Sequence, residues 1–240
     1  MKISKQSVEL VDYMGSDLSL VNAARVSFHK TSEWQEPEFT VEVDTGKLVH
    51  INDRLSPQDQ KLIQYLAKHN HWSPFAHAFL SFRIKAPIFV ARQLVKHQVG
   101  LAWNEVSRRY VDDEPEFYFP EVWRGKPVNA KQGSSDTVIP EDNLWGVFIE
   151  IPVYFKDACS ISLDLYSAMI TNGVAPEQAR MVLPQNMMTE WIWSGSLMAF
   201  ARVCNLRLDS HAQQECRDVA QMINNNIPQE FSHSWKALLA

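Results

Sequence analysis

Apolar and polar positions change period along the chain. Ala78 to Lys85 alternates, with Leu80, Phe82 and Ile84 against Phe79, Ser81 and Arg83, which predicts a strand. Ser7 to Met14 alternates more loosely and predicts a first strand, and Met187 to Ser194 is compatible with another. Between the strands the period lengthens. Asp17 to Phe28 carries Leu18, Val21, Ala24 and Phe28 at helical spacing. Ser56-Pro57-Gln58-Asp59 has a capping Ser, Pro at the first helical position and an acid three residues after the cap. It predicts a helix to about His69, with Leu62, Ile63 and Leu66 inward. Trp72 to Phe75 breaks that pattern. Pro87 opens a helix to about Gln98, Val106 to Val111 is extended, and Pro115 to Pro120 is an aromatic loop. Gly125 to Asp142 is a polar surface connection. A long helix is predicted from about Leu144 to Thr171, where Asn172-Gly173 stops it, and a shorter one from Pro176 to before Pro184. Helices over Leu197 to Arg207 and Ser210 to Asn224 complete the pattern. Phe39 to Val43 and Leu48 to Ile51 flank Asp44-Thr45-Gly46, as in a hairpin. Neither a repeat nor a linker interrupts this mixture, so residues 1–240 are expected to form one α+β domain.

Composition removes several classes. The chain has 240 residues, 45% of them hydrophobic and 21% charged, an ordinary globular balance. Its longest apolar stretches, such as Ala86 to Ala91, fall far short of the about 20 residues of a membrane span. The first five residues lack a secretion signal's apolar core. Cys159, Cys204 and Cys216 have no CxxC spacing and fit packing roles in a reducing cytosol. The expectation is a cytoplasmic protein with no membrane partner.

A net charge of −5 argues against a general nucleic-acid surface. Yet between residues 83 and 109 the charged residues are Arg83, Lys85, Arg92, Lys96, Arg108 and Arg109 against Glu105 alone. This island fits either an anionic ligand such as a nucleotide or a solvated basic face. Gln93, Lys96 and His97 share one wedge of the helix predicted after Pro87, facing solvent or lining a pocket. Asn104 to Tyr110 then concentrates polar and ionisable groups without the apolar alternation of a surface strand. Ser107 has no His or Asp beside it in sequence to activate it as a nucleophile. His69, His71 and His77 cluster, and His211 and Glu215 stand at i, i+4, but no HExxH or paired Cys/His spacing makes them a metal site.

His71-Trp72-Ser73-Pro74-Phe75-Ala76-His77, Lys85-Ala86-Pro87-Ile88-Phe89-Val90-Ala91-Arg92-Gln93 and Asn104-Glu105-Val106-Ser107-Arg108-Arg109-Tyr110 resemble consecutive signatures of the flavin-dependent thymidylate synthases (ThyX). Ala179-Arg180-Met181-Val182-Leu183-Pro184 and Asn205-Leu206-Arg207-Leu208-Asp209-Ser210-His211-Ala212-Gln213 continue the match in the same order. The resemblance covers most of residues 7 to 225, with the hairpin near residues 33–54 standing as an insertion. It implies a central, mostly antiparallel sheet flanked by helices, and a homotetramer with active sites where subunits meet. It also implies dTMP synthesis from dUMP, with 5,10-methylenetetrahydrofolate giving the one-carbon unit and FAD, reduced by NADPH, giving the hydride.

Residue by residue, the resemblance places Gln93, Lys96, Glu105, Ser107, Arg108, Arg109, Arg180 and Arg207 at the dUMP site, Arg207 acting on the ionised pyrimidine. It places Ser73, Lys96, His97, Gln98, Glu105, Ser196 and Arg202 at or near FAD, with His71 and Tyr110 as candidates for stacking on flavin or folate. It implies no metal. The family's core is Arg-His-Arg, seven residues and Ser; here it is Lys96-His97-Gln98, eight residues and Ser107, the added residue falling in the Val99-Gly100-Leu101 turn. Lys96 keeps a point charge but loses the bidentate fork, and Gln98 keeps hydrogen bonding without charge. Arg202 is a candidate to restore that charge. The rival readings are a ThyX-like flavoprotein without synthase activity, a metal-dependent hydrolase, and a non-catalytic nucleotide- or RNA-binding protein.

Overall fold

The structure, a computed structural model, describes residues 1–36, 39–41, 48–50, 54–127, 133–135, 142–144 and 147–239. In chain order it contains β1 (Lys2–Ile3), β2 (Ser7–Met14), α1 (Asp17–Arg25), β3 (Phe39–Val41), β4 (Leu48–His50), α2 (Pro57–Lys68), β5 (Phe79–Pro87), α3 (Ile88–Leu94) and β6 (Leu101–Glu105). Then follow β7 (Glu116–Phe117), β8 (Asp142–Leu144), β9 (Val147–Ile149), α4 (Ile151–Thr171), α5 (Pro176–Ala179), β10 (Met188–Ser196), α6 (Leu197–Arg207), α7 (Gln214–Asn225) and α8 (Ser232–Leu238).

The central sheet has the order β2-β5-β10-β6 and every pairing in it is antiparallel. The alternation read along β5 buries Leu80, Phe82 and Ile84, while β10 buries Trp191 and Trp193. Phe200 of α6 meets Phe82 edge-on at 5.0 Å and Trp193 at 5.4 Å, which anchors α6 to the sheet. The fold is thus α+β with an antiparallel centre. β3 pairs antiparallel with β4, though the Asp44-Thr45-Gly46 turn lies outside the described residues. Among the described residues no helix is long and apolar enough to cross a membrane.

Several boundaries differ from the pattern. α3 stops at Leu94, so Lys96, His97 and Gln98 lie beyond the helix. The chain turns there: the Leu101 N–H donates to the Gln98 carbonyl at 3.3 Å, and Gly100 sits at φ +77°, a conformation that favours glycine. The Gly100 carbonyl in turn accepts from the Ser196 N–H at 3.2 Å. Gly195 permits that approach, because a Cβ on it would fall 2.3 Å from the Gly100 oxygen.

The extended segment is residues 101–105 rather than 106–111. Trp103 stacks on Trp191 with ring centroids 4.2 Å apart, which holds β6 against β10, and Val106 is exposed. α4 begins at Ile151, not Leu144. Pro152 occupies its first turn, and β8 and β9 pair antiparallel before it. α7 begins at Gln214, after the turn that the Asp209 side chain organises by accepting from the His211 N–H at 2.7 Å. α8 had no sequence signal. Its N-terminal N–H groups, from His233 and Ser234, donate to the Asp17 carboxylate at 2.9 Å each, so its cap comes from α1.

Candidate active site

Arg207 ends α6 and is half-buried beside the end of α3. Its Nε donates to His97 Nε2 at 3.1 Å, and its Nη2 reaches the Gln93 carbonyl at 3.4 Å. Arg207 therefore does not cap its own helix; it spans to a neighbouring one. His97 must be neutral to accept that bond. Burial first, and the Arg207 charge second, push its pKa below the ordinary 6.5. The Gln93 amide donates to Gln213, at the N-cap position of α7. Three residues expected at the site, Gln93, His97 and Arg207, are thus brought together by the ends of α3, α6 and the start of α7.

A second group lies near the start of α3. Glu105, Arg108 and Arg180 line a cavity of about 310 Å³ with Thr189, Met187 and Ile88. The Glu105 carboxylate is oriented on both sides: Thr189 Oγ1 donates to Oε1 at 2.7 Å and Trp103 Nε1 to Oε2 at 3.1 Å. Arg108 is tied to the Asp113 carbonyl at 2.6 Å and to its carboxylate at 3.5 Å. Arg109 Nε donates to Ser107 Oγ at 3.1 Å, and its guanidinium lies 4.7 Å from the Tyr110 ring centre. Ser107 therefore accepts from a cation and, among the described residues, has no base as partner. Arg180 is exposed, its Nε donating to the Glu177 carbonyl at 3.2 Å.

The third group lies along α6 and the connection after α2. Arg202, Asn205, Met198, Ala201 and Trp72 line a cavity of about 730 Å³. An adjoining cavity of about 880 Å³ includes His71, Trp72, Ser73 and Tyr65, with Asn70 and Trp72 lining both. His71 meets Tyr65 edge-on at 5.7 Å. Gln98 does not line the cavity of Arg202. Ser196 is buried and its hydroxyl caps α6, accepting from the Ala199 N–H at 3.2 Å. Lys96 and Gln98 are exposed beyond α3.

The basic island is partly neutralised by distant acids. Lys85 pairs with Glu116 at 2.6 Å and Arg83 with Glu190 at 4.0 Å. Arg92, Lys96 and Arg109 form no ion pair among the described residues. The i, i+4 pair of the metal reading does not converge: His211 bonds Asp209, whereas buried Glu215 pairs with Arg124. All three cysteines are free and buried. Burial pushes the Cys204 thiol up to about 12 and Cys216 up to about 11, so neither is a thiolate near neutral pH.

Sequence reasoning gave no role to Arg124, Gln213, Trp103 or Thr189, and weighed Glu215 only beside His211 in the metal reading; these five hold site residues in place. Gln213 lay within a quoted motif and could have been found. Arg124 stands in an irregular stretch with no local pattern.

Comparison with known proteins identifies the family. The family model described as thymidylate synthase complementing protein matches residues 9–231. The flavin-dependent thymidylate synthase of Thermosipho africanus is 33% identical over 237 residues, covering 99% of this chain and 92% of its own. That of Thermus thermophilus is 34% identical over 235 residues, covering 98% and 76%. Among solved structures, the UMP/dUMP methylase PolB from Streptomyces cacaoi bound with 5-Br dUMP superposes with a TM-score of 0.74. It is 25% identical and covers 99% of this chain and 96% of its own. The chain belongs to the flavin-dependent thymidylate synthase family.

Proposed function

We propose that the protein converts dUMP to dTMP by reductive methylation, with 5,10-methylenetetrahydrofolate as the one-carbon donor and FAD, reduced by NADPH, as the hydride source. The observation that carries the reading is the Arg207–His97–Gln93 contact, which joins the family's Asn-Leu-Arg motif to its His core. Charge develops on the pyrimidine as C5 becomes electron-rich. A guanidinium fixed near N3 and its carbonyl stabilises that charge without reorganising. His97 supplies the fixing. It holds Nε of Arg207, Nη2 meets the Gln93 carbonyl, and Nη1 has no hydrogen bond among the described residues. Ser107, Arg109 and Arg180 are the phosphate group, with Arg108 and Glu105 beside them.

FAD fits the cavity of Arg202. Trp72 offers an aromatic face, Met198 and Ala201 an apolar floor, and Arg202 a cation with no ion pair among the described residues. Bound and reduced, the flavin would supply the hydride; Arg202, Lys96, His97, Gln98 and Ser73 would hold it, and His71 and Tyr110 would stack on flavin or folate.

The working form is a homotetramer in the cytoplasm, with sites shared between subunits. One feature supports assembly: α4 leaves Val153, Tyr154, Ile161 and Leu165 exposed, an apolar stripe suited to a subunit contact. The hairpin of β3 and β4 is read as an insertion on this scaffold.

Purification followed by a visible spectrum and a dUMP assay tests the proposal. The expected result is a yellow protein, bleached by NADPH, that forms dTMP only when methylenetetrahydrofolate is added. A yellow protein that makes no dTMP identifies a flavin-binding relative without synthase activity; a colourless, inactive one sinks the reading.

A further inference from the structure

Behind Gln93 runs a chain of hydrogen-bonded polar groups. Arg124 Nη2 donates to Glu215 Oε1 at 2.5 Å, and Arg124 Nε donates to Ser134 Oγ at 2.9 Å. The other carboxylate oxygen of Glu215 accepts from Gln213 Nε2 at 3.0 Å. Gln213 Oε1 accepts from Gln93 Nε2. Glu215 is buried, and Gln93 and Gln213 are half-buried.

The direction of this chain is fixed at one end. An amide side chain can present either its oxygen or its NH₂, and nothing intrinsic to glutamine chooses. A carboxylate offers acceptors alone. Gln213 must therefore turn its NH₂ to Glu215, which leaves its oxygen facing Gln93. Gln93 must then turn its NH₂ to Gln213, which leaves its own oxygen for whatever lies in front of it.

We propose that Glu215 and Gln213 are positioning residues that set the amide polarity of Gln93, so that Gln93 presents a hydrogen-bond acceptor, not a donor, to an N–H or O–H of the bound pyrimidine nucleotide. The inference rests on the assignment of Gln93 to the dUMP site. Arg124 is part of the device, because it anchors the carboxylate oxygen that does not face Gln213.

Glu215→Gln is the sharpest variant. Arg124 would pin the new amide's oxygen and turn its NH₂ toward Gln213. Both downstream amides would flip, and Gln93 would present NH₂ to the nucleotide. Gln213→Met cuts the chain at another point and keeps the Arg124–Glu215 pair. Gln93→Met removes the acceptor itself.

Calorimetric titration of the FAD-loaded protein with dUMP reads the effect. Each single change is expected to weaken dUMP binding about tenfold, as the loss of one buried hydrogen bond does. Combining Glu215→Gln or Gln213→Met with Gln93→Met should weaken it no further, since both act through the same amide. A merely structural role predicts multiplied losses, about a hundredfold in the double variants. Multiplied losses, or full-strength binding by Glu215→Gln and Gln213→Met while Gln93→Met binds weakly, overturn the relay alone. Full-strength binding by Gln93→Met removes Gln93 from the nucleotide site, and the relay falls with that assignment.

Discussion

Arg207 shows how one side chain can be read differently from sequence and from structure. At the end of a helix an Arg commonly meets that helix's own last carbonyls. Here its Nε goes to His97, 110 positions away in the chain. Arg207→Ala should keep the fold and bound flavin yet cost nearly all turnover, measured as dTMP formed per flavin. The same contact makes acid harmful. The folded protein holds His97 neutral, with a pKa below 6.5, while the unfolded chain protonates it more readily. Its contribution is therefore complete above pH 6.5 and fades as pH falls through the depressed value. Protonation also sets a second cation against Arg207. Between about pH 7.5 and about pH 5.5 the KM for dUMP should rise in the parent. It should rise less in His97→Gln, whose oxygen accepts without titrating. Arg202→Met tests the flavin cavity: the purified variant should carry less flavin per chain than the parent, read from its visible absorbance. The motifs of the sequence named Gln93, His97 and Arg207, which the fold brings into contact, and Glu105, Arg108 and Arg180, which line one cavity. Arg124 and Glu215 were not legible as a pair, because their partnership joins positions 91 residues apart.

At the scale of elements, the pattern located what its own residues determine. β5, β10 and α6 carry their signal in alternation or helical spacing, and α6 begins and ends where that spacing does. Failures came where a distant group decides. α8 has Phe231 at its N-cap position, a residue with no capping oxygen, and takes its cap from Asp17. No local reading could supply that. Asp17→Ala should therefore cost about 1–2 kcal/mol, lowering the melting temperature by roughly 3–6 °C. It should loosen α8 first, visible as faster amide exchange at residues 233–238. The early stop of α3 has a similar cause, since the turn through Gly100 is fastened to Ser196 on another strand. Pro152, by contrast, is a local marker for the start of α4.

Across the whole molecule, the residues proposed to meet dUMP and flavin fall into three groups, near the two ends of α3 and along α6. One protomer carries Arg207 at one end of α3 and Arg180 with Glu105 near the other. If subunits share sites, Arg180→Ala and Arg207→Ala should each be nearly inactive alone. Mixed assemblies of the two should regain part of the parent's rate, because some sites then draw both arginines from intact chains; activity of the mixture no greater than the sum of its parts would place each site within one chain. Asn70 and Trp72 have a consequence of their own. They belong at once to the cavity of Arg202 and to that of His71, and Asn70 holds the bend between them at φ +55°. A molecule that stiffens this party wall from one side prepares it for a guest on the other. Thermodynamic reciprocity then requires each guest to strengthen the other's hold by the same factor.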